Sequence, residues 1–165
     1  MEAELDIFQT VVAKAAGISP GGPLAAVFAG RRDIMELTER SHNASLKPNN
    51  PGGLSHSERA ALACRIAKLN NEPELARHYE GLMDGENHGL ADTGFDGGSD
   101  ARLKAMLRHT DLVTLDPKSA VASDVSALRA VGMNDPDIVR LSQLIAFVSY
   151  QIRVVAGLRL MEEVA

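Results

Sequence analysis

The sequence predicts an all-α fold, a single helical domain that assembles with copies of itself. Three observations carry that prediction. Apolar residues recur at three- and four-residue spacing in almost every segment, β-branched residues fall mainly within that spacing, and helix-start and helix-stop residues punctuate the chain between periodic stretches. A length of 165 residues suits one compact domain, or one protomer that completes its core in an oligomer.

Taken in order, Leu5, Phe8, Val12 and Ala15 mark a first helix, with Gly17 as its stop. A turn over Ser19 to Pro23 leads into a short helix opened by Pro23 and carrying Leu24, Val27 and Phe28. A further helix is expected from about Arg31 toward Leu46, with Ile34, Met35 and Leu37, and Asn49-Asn50-Pro51-Gly52-Gly53 breaks it. Ser55 and Glu58 form a Ser-x-x-Glu capping box with Leu54 placed as a hydrophobic staple, opening an alanine-rich helix to Leu69. Asn71 and Glu74 are read as capping the next helix, where Pro73 is tolerated because a first-turn amide has no helical partner. That helix carries Leu75, Tyr79, Leu82 and Met83.

Residues 84–100 turn to Gly, Asp, Asn and Ser, a composition that suits a mobile surface loop or an ordered lid. Helix resumes near Ala101 with Leu103, Met106 and Leu107. Ser123 is read as capping a short helix closed by Gly132, and Asn134-Asp135-Pro136-Asp137 opens the longest helix, extending to Glu163. The domain therefore spans 1–165, with N-terminal helices over 1–50, a helix pair over 54–83, a loop over 84–100 and C-terminal helices over 101–165.

Composition narrows the function classes. An apolar fraction of 45% and a charged fraction of 24% describe a globular chain, and the formal charge of −5 is spread rather than blocked. No Lys/Arg stripe with interleaved aromatics is present, so no nucleic-acid partner is expected. The single cysteine, Cys64, leaves no internal disulfide, no Cys-x-x-Cys pair and no multi-cysteine zinc site. The opening MEAELDIFQT lacks the basic n-region of a secretory signal, and Leu141 to Leu160 is interrupted by Ser142, Gln143, Ser149, Gln151 and Arg153. A cytoplasmic protein without a membrane span is expected.

The last helix carries the strongest physical clue. Ile138, Leu141, Ile145, Val148, Ile152 and Val155 form one stripe, and Leu144, Phe147, Val154, Leu158 and Met161 widen it past a single face. A helix apolar on several sides must be covered on several sides, so a homo-oligomer is expected, the alternative being a monomer with one central helix.

Two blocks resemble a known family. The first runs from Leu54-Ser-His-Ser-Glu-Arg through Ala67-Lys-Leu-Asn-Asn-Glu-Pro-Glu-Leu-Ala-Arg-His-Tyr79. The second runs from Asp111-Leu-Val-Thr-Leu through Asp124-Val-Ser-Ala-Leu-Arg-Ala-Val-Gly to Phe147-Val-Ser-Tyr-Gln-Ile-Arg-Val-Val-Ala-Gly-Leu. Both are similar to the carboxymuconolactone decarboxylase and alkylhydroperoxidase D superfamily, the second to its peroxidase-related members. With the N-terminal Ala-Gly-Ile-Ser-Pro-Gly-Gly-Pro-Leu segment, the chain is similar to an uncharacterised subgroup of carboxymuconolactone-decarboxylase-domain proteins. The resemblance implies an all-helical, oligomeric protein.

In the peroxidase branch the resemblance implies a Cys-x-x-Cys-x-x-x-His motif with an upstream Glu relay. Two thiols three apart at a helix N-terminus can close a disulfide, the helix amides lower the first thiol's pKa, and a His one turn on moves protons. Here those positions fall on Glu72, Leu75, Tyr79 and, for the relay, Ala60, so all four groups are missing. Three readings follow. The first is a divergent member without peroxidase activity, acting through binding or assembly. The second is an enzyme moving protons on a small carboxylated or lactone substrate, with Glu72, His78 and Tyr79 as candidate site residues and Glu74 placed to pair with His78. The third is the antioxidant peroxidase activity that family membership implies.

Beside these stands a plainer reading, in which Glu72 favours the helix N-terminus by charge, Glu74 completes a cap and His78 is a surface residue. Cys64 lies among Ala61, Ala63, Ile66 and Ala67 and reads as a packing residue. His42, His56, His88 and His109 are read as showing neither His-x-x-x-His nor Glu-x-x-His spacing, and no metal site or cofactor is read from local sequence. Gly85, Gly89, Gly94, Gly97 and Gly98 match no phosphate-binding pattern. Arg153 either needs a buried carboxylate or packs its stem while its head reaches water.

Overall fold

The computed structural model describes residues 5–85 and 88–165. Among them are nine α-helices, two 3-10 turns and no strand. The helices are α1 (Val11–Ala16), α2 (Ala25–Ala29), α3 (Arg32–Leu46), α4 (His56–Leu69), α5 (Pro73–Glu80), α6 (His88–Ala91), α7 (Ala101–Leu115), α8 (Ala122–Ala130) and α9 (Asp135–Glu163).

The first predicted helix is divided in two. Thr10 Oγ1 donates to Ile7 O at 2.6 Å and accepts from Ala13 N at 3.4 Å. That one hydroxyl closes the 3-10 turn Ile7–Gln9 and caps α1, and a short polar side chain in extended backbone cannot sit inside a helix while doing both. The capping box of α4 forms as predicted, with Glu58 N on Ser55 Oγ at 3.1 Å and Ser55 N on Glu58 Oε2 at 2.8 Å, above a fully buried Leu54.

Two other caps differ from expectation. Asn71 adopts φ +56°, closing α4 in the left-handed region instead of capping α5. Its neighbour Glu72 donates its amide to Ala67 O at 2.9 Å and becomes the N-cap of α5, without a side-chain cap bond. Three residues must reverse the chain between two packed helices, and Asn tolerates the required φ. Ser123 lies within the first turn of α8, which begins one residue earlier. There Asp124 Oδ2 accepts the Val121 amide at 2.9 Å and Oδ1 pairs with Arg108 at 3.1 Å, so the carboxylate caps the start of the helix from inside.

The loop region resolves toward order. Over 88–100, α6 buries Leu90 and Ala91 against α4, and Arg65 on α4 reaches across to the following backbone. Its guanidinium donates to Asp92 O at 2.5 Å, Phe95 O at 3.1 Å and Thr93 O at 3.3 Å, and to both carboxylate oxygens of Asp111 at 2.6 Å. Residues 86 and 87 lie outside the described residues.

α9 runs through the centre, packed by α1, α3, α4, α7 and α8. Leu141, Leu144, Val148 and Val155 are fully buried, each contributing roughly 1.5–3 kcal/mol by leaving water. Val148 to Val154 alternates apolar and polar residues with a strand-like period of two, yet it lies in mid-helix. The helical stripe over the flanking turns outweighs that local alternation. Among the described residues α9 is the one helix long and apolar enough to cross a membrane by length and composition. Arg153 settles on the solvent side: it is exposed and donates to Ser149 O at 2.7 Å, with no buried carboxylate. The 49–53 break docks on the start of α9, where Gly53 N donates to Asp137 Oδ1 at 2.9 Å. A Cβ on Gly53 would lie 2.4 Å from Asp137 Oδ2, so this contact needs glycine.

Candidate functional site

The helix pair α4–α5 positions the predicted residues. Glu72, Leu75 and Tyr79 share the face of α5 that turns inward, with relative exposures of 5%, 0% and 0%. The Glu72 carboxylate is ion-paired with Arg159 near the end of α9, and Arg159 also donates to Ala15 O at 2.7 Å. Glu72 therefore ties α5 to α9 and α1. Its other oxygen, Oε2, is buried without a protein partner. The Tyr79 hydroxyl donates to Gln151 Oε1 on α9. Burial, reinforced by the negative charge of Glu39, pushes the Tyr79 phenol far above its ordinary pKa, so it stays neutral and acts as a hydrogen-bond donor.

One sulfur does reach this segment. Cys64, buried on α4, donates its thiol to Ala76 O at 3.4 Å. Burial raises its pKa, and the chain holds no second cysteine to pair with it. A neutral, enclosed thiol is neither a good nucleophile nor half of a disulfide couple.

The expected Glu74–His78 pair is not made. Glu74 instead pairs with Arg77, three residues on, at 2.5 Å, because the shorter i,i+3 step brings a longer and always-charged partner within reach. His78 turns toward α3 and meets His42, Nε2 to Nε2 at 2.9 Å. His42 in turn stacks on Tyr79, with ring centroids 6.0 Å apart and planes inclined by 15°, and meets the edge of Phe147. Sequence spacing alone did not join these histidines, which stand 36 residues apart. One local signal corrects the reading of the histidines above: Glu39-Arg40-Ser41-His42 is a Glu-x-x-His spacing, and it places a carboxylate and an imidazole on one face of α3.

Burial, then the neighbouring His42, Lys14 and Lys47, lowers His78 to about 4. Burial also lowers His42, against an upward pull from Asn43 and Glu39. Both rings are therefore neutral at physiological pH. Asn43 Oδ1, a hydrogen-bond acceptor, lies 3.3 Å from His42 Nδ1. The Nδ1–H tautomer satisfies that contact and leaves the Nε2 lone pair of His42 aimed at His78. His78 opens onto a cleft of about 290 Å³ whose walls include Gln9, Lys14, Glu39 and Glu74. Glu39 is anchored there by the Val11 amide at 2.9 Å. Glu72 is not on that wall.

The other histidines form no comparable group. His56 lies 2.9 Å from Pro48 O at the exposed start of α4, and His109 is buried on α7 with Nδ1 unpartnered. The side chain of His88 lies outside the described residues. Among the described residues no three His, Cys, Asp or Glu side chains stand together as a ready metal cluster.

Comparison with solved structures gives this geometry a fold relative. An uncharacterised peroxidase-related protein from Silicibacter sp. TM1040 superposes with a TM-score of 0.61 and 20% identity, over 81% of this chain and 73% of that one. The chain shares the helical fold of that protein. That agrees with the resemblance read from the two sequence blocks, and at this identity it establishes architecture rather than activity. No protein-family model and no curated protein matches the sequence.

Proposed function

We propose that this chain is a member of the peroxidase-related fold that carries no thiol redox chemistry and acts through binding and assembly. One observation carries the reading. The positions where the motif's thiols would stand hold a buried carboxylate committed to Arg159 and a fully buried leucine, while the chain's one thiol is enclosed against Ala76. Reducing a hydroperoxide needs an accessible thiolate and a route to regenerate it, and neither is present in these groups. The test is peroxide consumption by the purified chain with cumene hydroperoxide and dithiothreitol or a dithiol protein donor. The expected rate equals that of the donor alone, for the parent chain and for Cys64→Ser alike. Turnover above that background overturns the reading.

Assembly belongs to the same proposal. On α3 and α9, Ile34, Leu37 and Tyr150 are 42%, 60% and 43% exposed around an apolar groove, a surface suited to a second copy of this chain. Light scattering after size exclusion is expected to give a mass above one protomer, and Leu37→Glu is expected to lower it.

A second reading, proton transfer on a small carboxylated or lactone substrate, draws support from the cleft beside His78. Lys14 can hold a carboxylate there while neutral His78 accepts a proton, with Tyr79 positioning His42. Glu72 would then act through α5's placement rather than on substrate. This reading ranks second because a base held at about 4 is poorly matched to neutral pH.

A further inference from the structure

We infer that His42 and His78 form a binding site for one borderline divalent transition-metal ion, of the class of Zn²⁺, Co²⁺ or Ni²⁺. The inference stands apart from both readings above, since it requires neither the absence of peroxidase activity nor any catalysis.

The argument begins with the 2.9 Å separation between the two Nε2 atoms. Two imidazole nitrogens this close are bridged either by one N–H donating to the other ring's lone pair or by a metal ion that both lone pairs ligate. The Asn43 contact favours a proton on His42 Nδ1, which leaves its Nε2 a bare lone pair. Metal-bound histidines are commonly held this way, with the distal N–H given to an oxygen that fixes the tautomer and the ring plane. Stacking against Tyr79 and the edge of Phe147 locks the same ring further.

Protonation state points the same way. Both imidazoles are kept neutral by burial, and the neutral form is the one that binds metal, so little proton competition arises near neutrality. In a tetrahedral site with Zn–N bonds of 2.0–2.1 Å, two nitrogens stand about 3.3 Å apart, so the rings need separate by only a few tenths of an ångström. Glu39 shares its helix face with His42, and Glu39 and Glu74 border the adjoining cleft, supplying negative charge that offsets Lys14. Two histidines are two ligands. Water from the cleft completes the coordination.

The chemistry of the donors selects the metal class. Imidazole nitrogen with water suits Zn²⁺, Co²⁺ and Ni²⁺, whereas Mg²⁺ and Ca²⁺ prefer all-oxygen shells.

The experiment uses the full chain without a histidine tag, stripped with EDTA and titrated with Zn²⁺ by calorimetry and with Co²⁺ by visible absorption. One equivalent per chain is expected, with Co²⁺ bands characteristic of nitrogen ligation. His78→Gln, at a half-buried position, and His42→Gln are each expected to weaken binding at least ~10-fold, while His56→Gln leaves it unchanged. Circular dichroism identifies variants that fail to fold. Should His42→Gln fail, the His78→Gln comparison decides. Equal affinity in the parent chain and a folded His78→Gln, or no saturable uptake by the parent chain, overturns the assignment.

Discussion

The guanidinium of Arg159, near the end of α9, closes over the carboxylate of Glu72 at the start of α5, 87 residues earlier in the chain. The pair spans the position where the resemblance would place a reactive thiol, and it converts that position into a tie between helices. Removing one partner strands a charge. Because the Arg159 side chain is 34% exposed, Arg159→Met is expected to cost about 2 kcal/mol, below the ~3–5 kcal/mol of a fully enclosed pair. Urea denaturation measures it, and Glu72→Leu combined with Arg159→Met is expected to recover most of the loss. A single-variant loss under ~0.5 kcal/mol would place the pair among weak surface contacts.

Cys64 gives a chemical test of the core. Its thiol is buried, with its pKa raised by that burial. Iodoacetamide is expected to leave it unlabelled in the native chain and to label it completely in urea, as read by intact mass. Labelling as fast as that of a free thiol in native buffer would show that the α4–α5 contact opens readily.

The histidine pair makes stability depend on pH with a definite sign. His78 sits at about 4 in the fold against an ordinary 6.5, and His42 is also lowered. Between those values the unfolded chain takes up protons that the folded chain refuses. Stability is therefore complete above about pH 6.5 and falls as the pH drops toward about 4. Asp137 adds its own loss only at lower pH. Its burial is outweighed by the Gly53 amide and Arg140, which hold it below 3.8. The urea midpoint is expected to be lower at about pH 5 than at about pH 7.5, and the difference is expected to shrink in His78→Gln.

Arg65 holds the 92–95 backbone through three carbonyls while pairing with Asp111. Its side chain is 3% exposed, so Arg65→Met is expected to cost roughly 3 kcal/mol and to leave those carbonyls seeking water. Hydrogen exchange over 92–98 should accelerate more than exchange in α9. Uniform acceleration along the whole chain would mean that Arg65 supports the domain rather than this segment.

Much of the fold was legible because its signals are local. The Ser55–Glu58 box, the stop at Gly132 and the Asn134 start of α9 each depend on a few adjacent residues, and all three form. Asn71 and Ser123 were misplaced by one or two positions because a cap is chosen by competition among neighbouring polar groups. There Glu72 and Asp124 had tertiary partners, Arg159 and Arg108, that decided the outcome. Glu39-x-x-His42 was a readable pattern, but nothing in the linear order of α3 and α5 said that His42 and His78 would face each other.

By itself the sequence determined the helical periodicity, most helix limits, and the absence of paired thiols from the 72–79 segment, since these follow from residue identity and near-neighbour spacing. Tertiary structure alone decided that Glu72 is an interior ion-pair partner and that Glu74 leaves His78 for Arg77. It also decided that Arg65 orders the glycine-rich segment and that two neutral imidazoles meet at 2.9 Å. In three of the four a polar group removed from water finds a partner far along the chain, where helix packing rather than spacing brings it within reach, and the exposed Glu74–Arg77 pair is the local choice left once His78 has turned to His42.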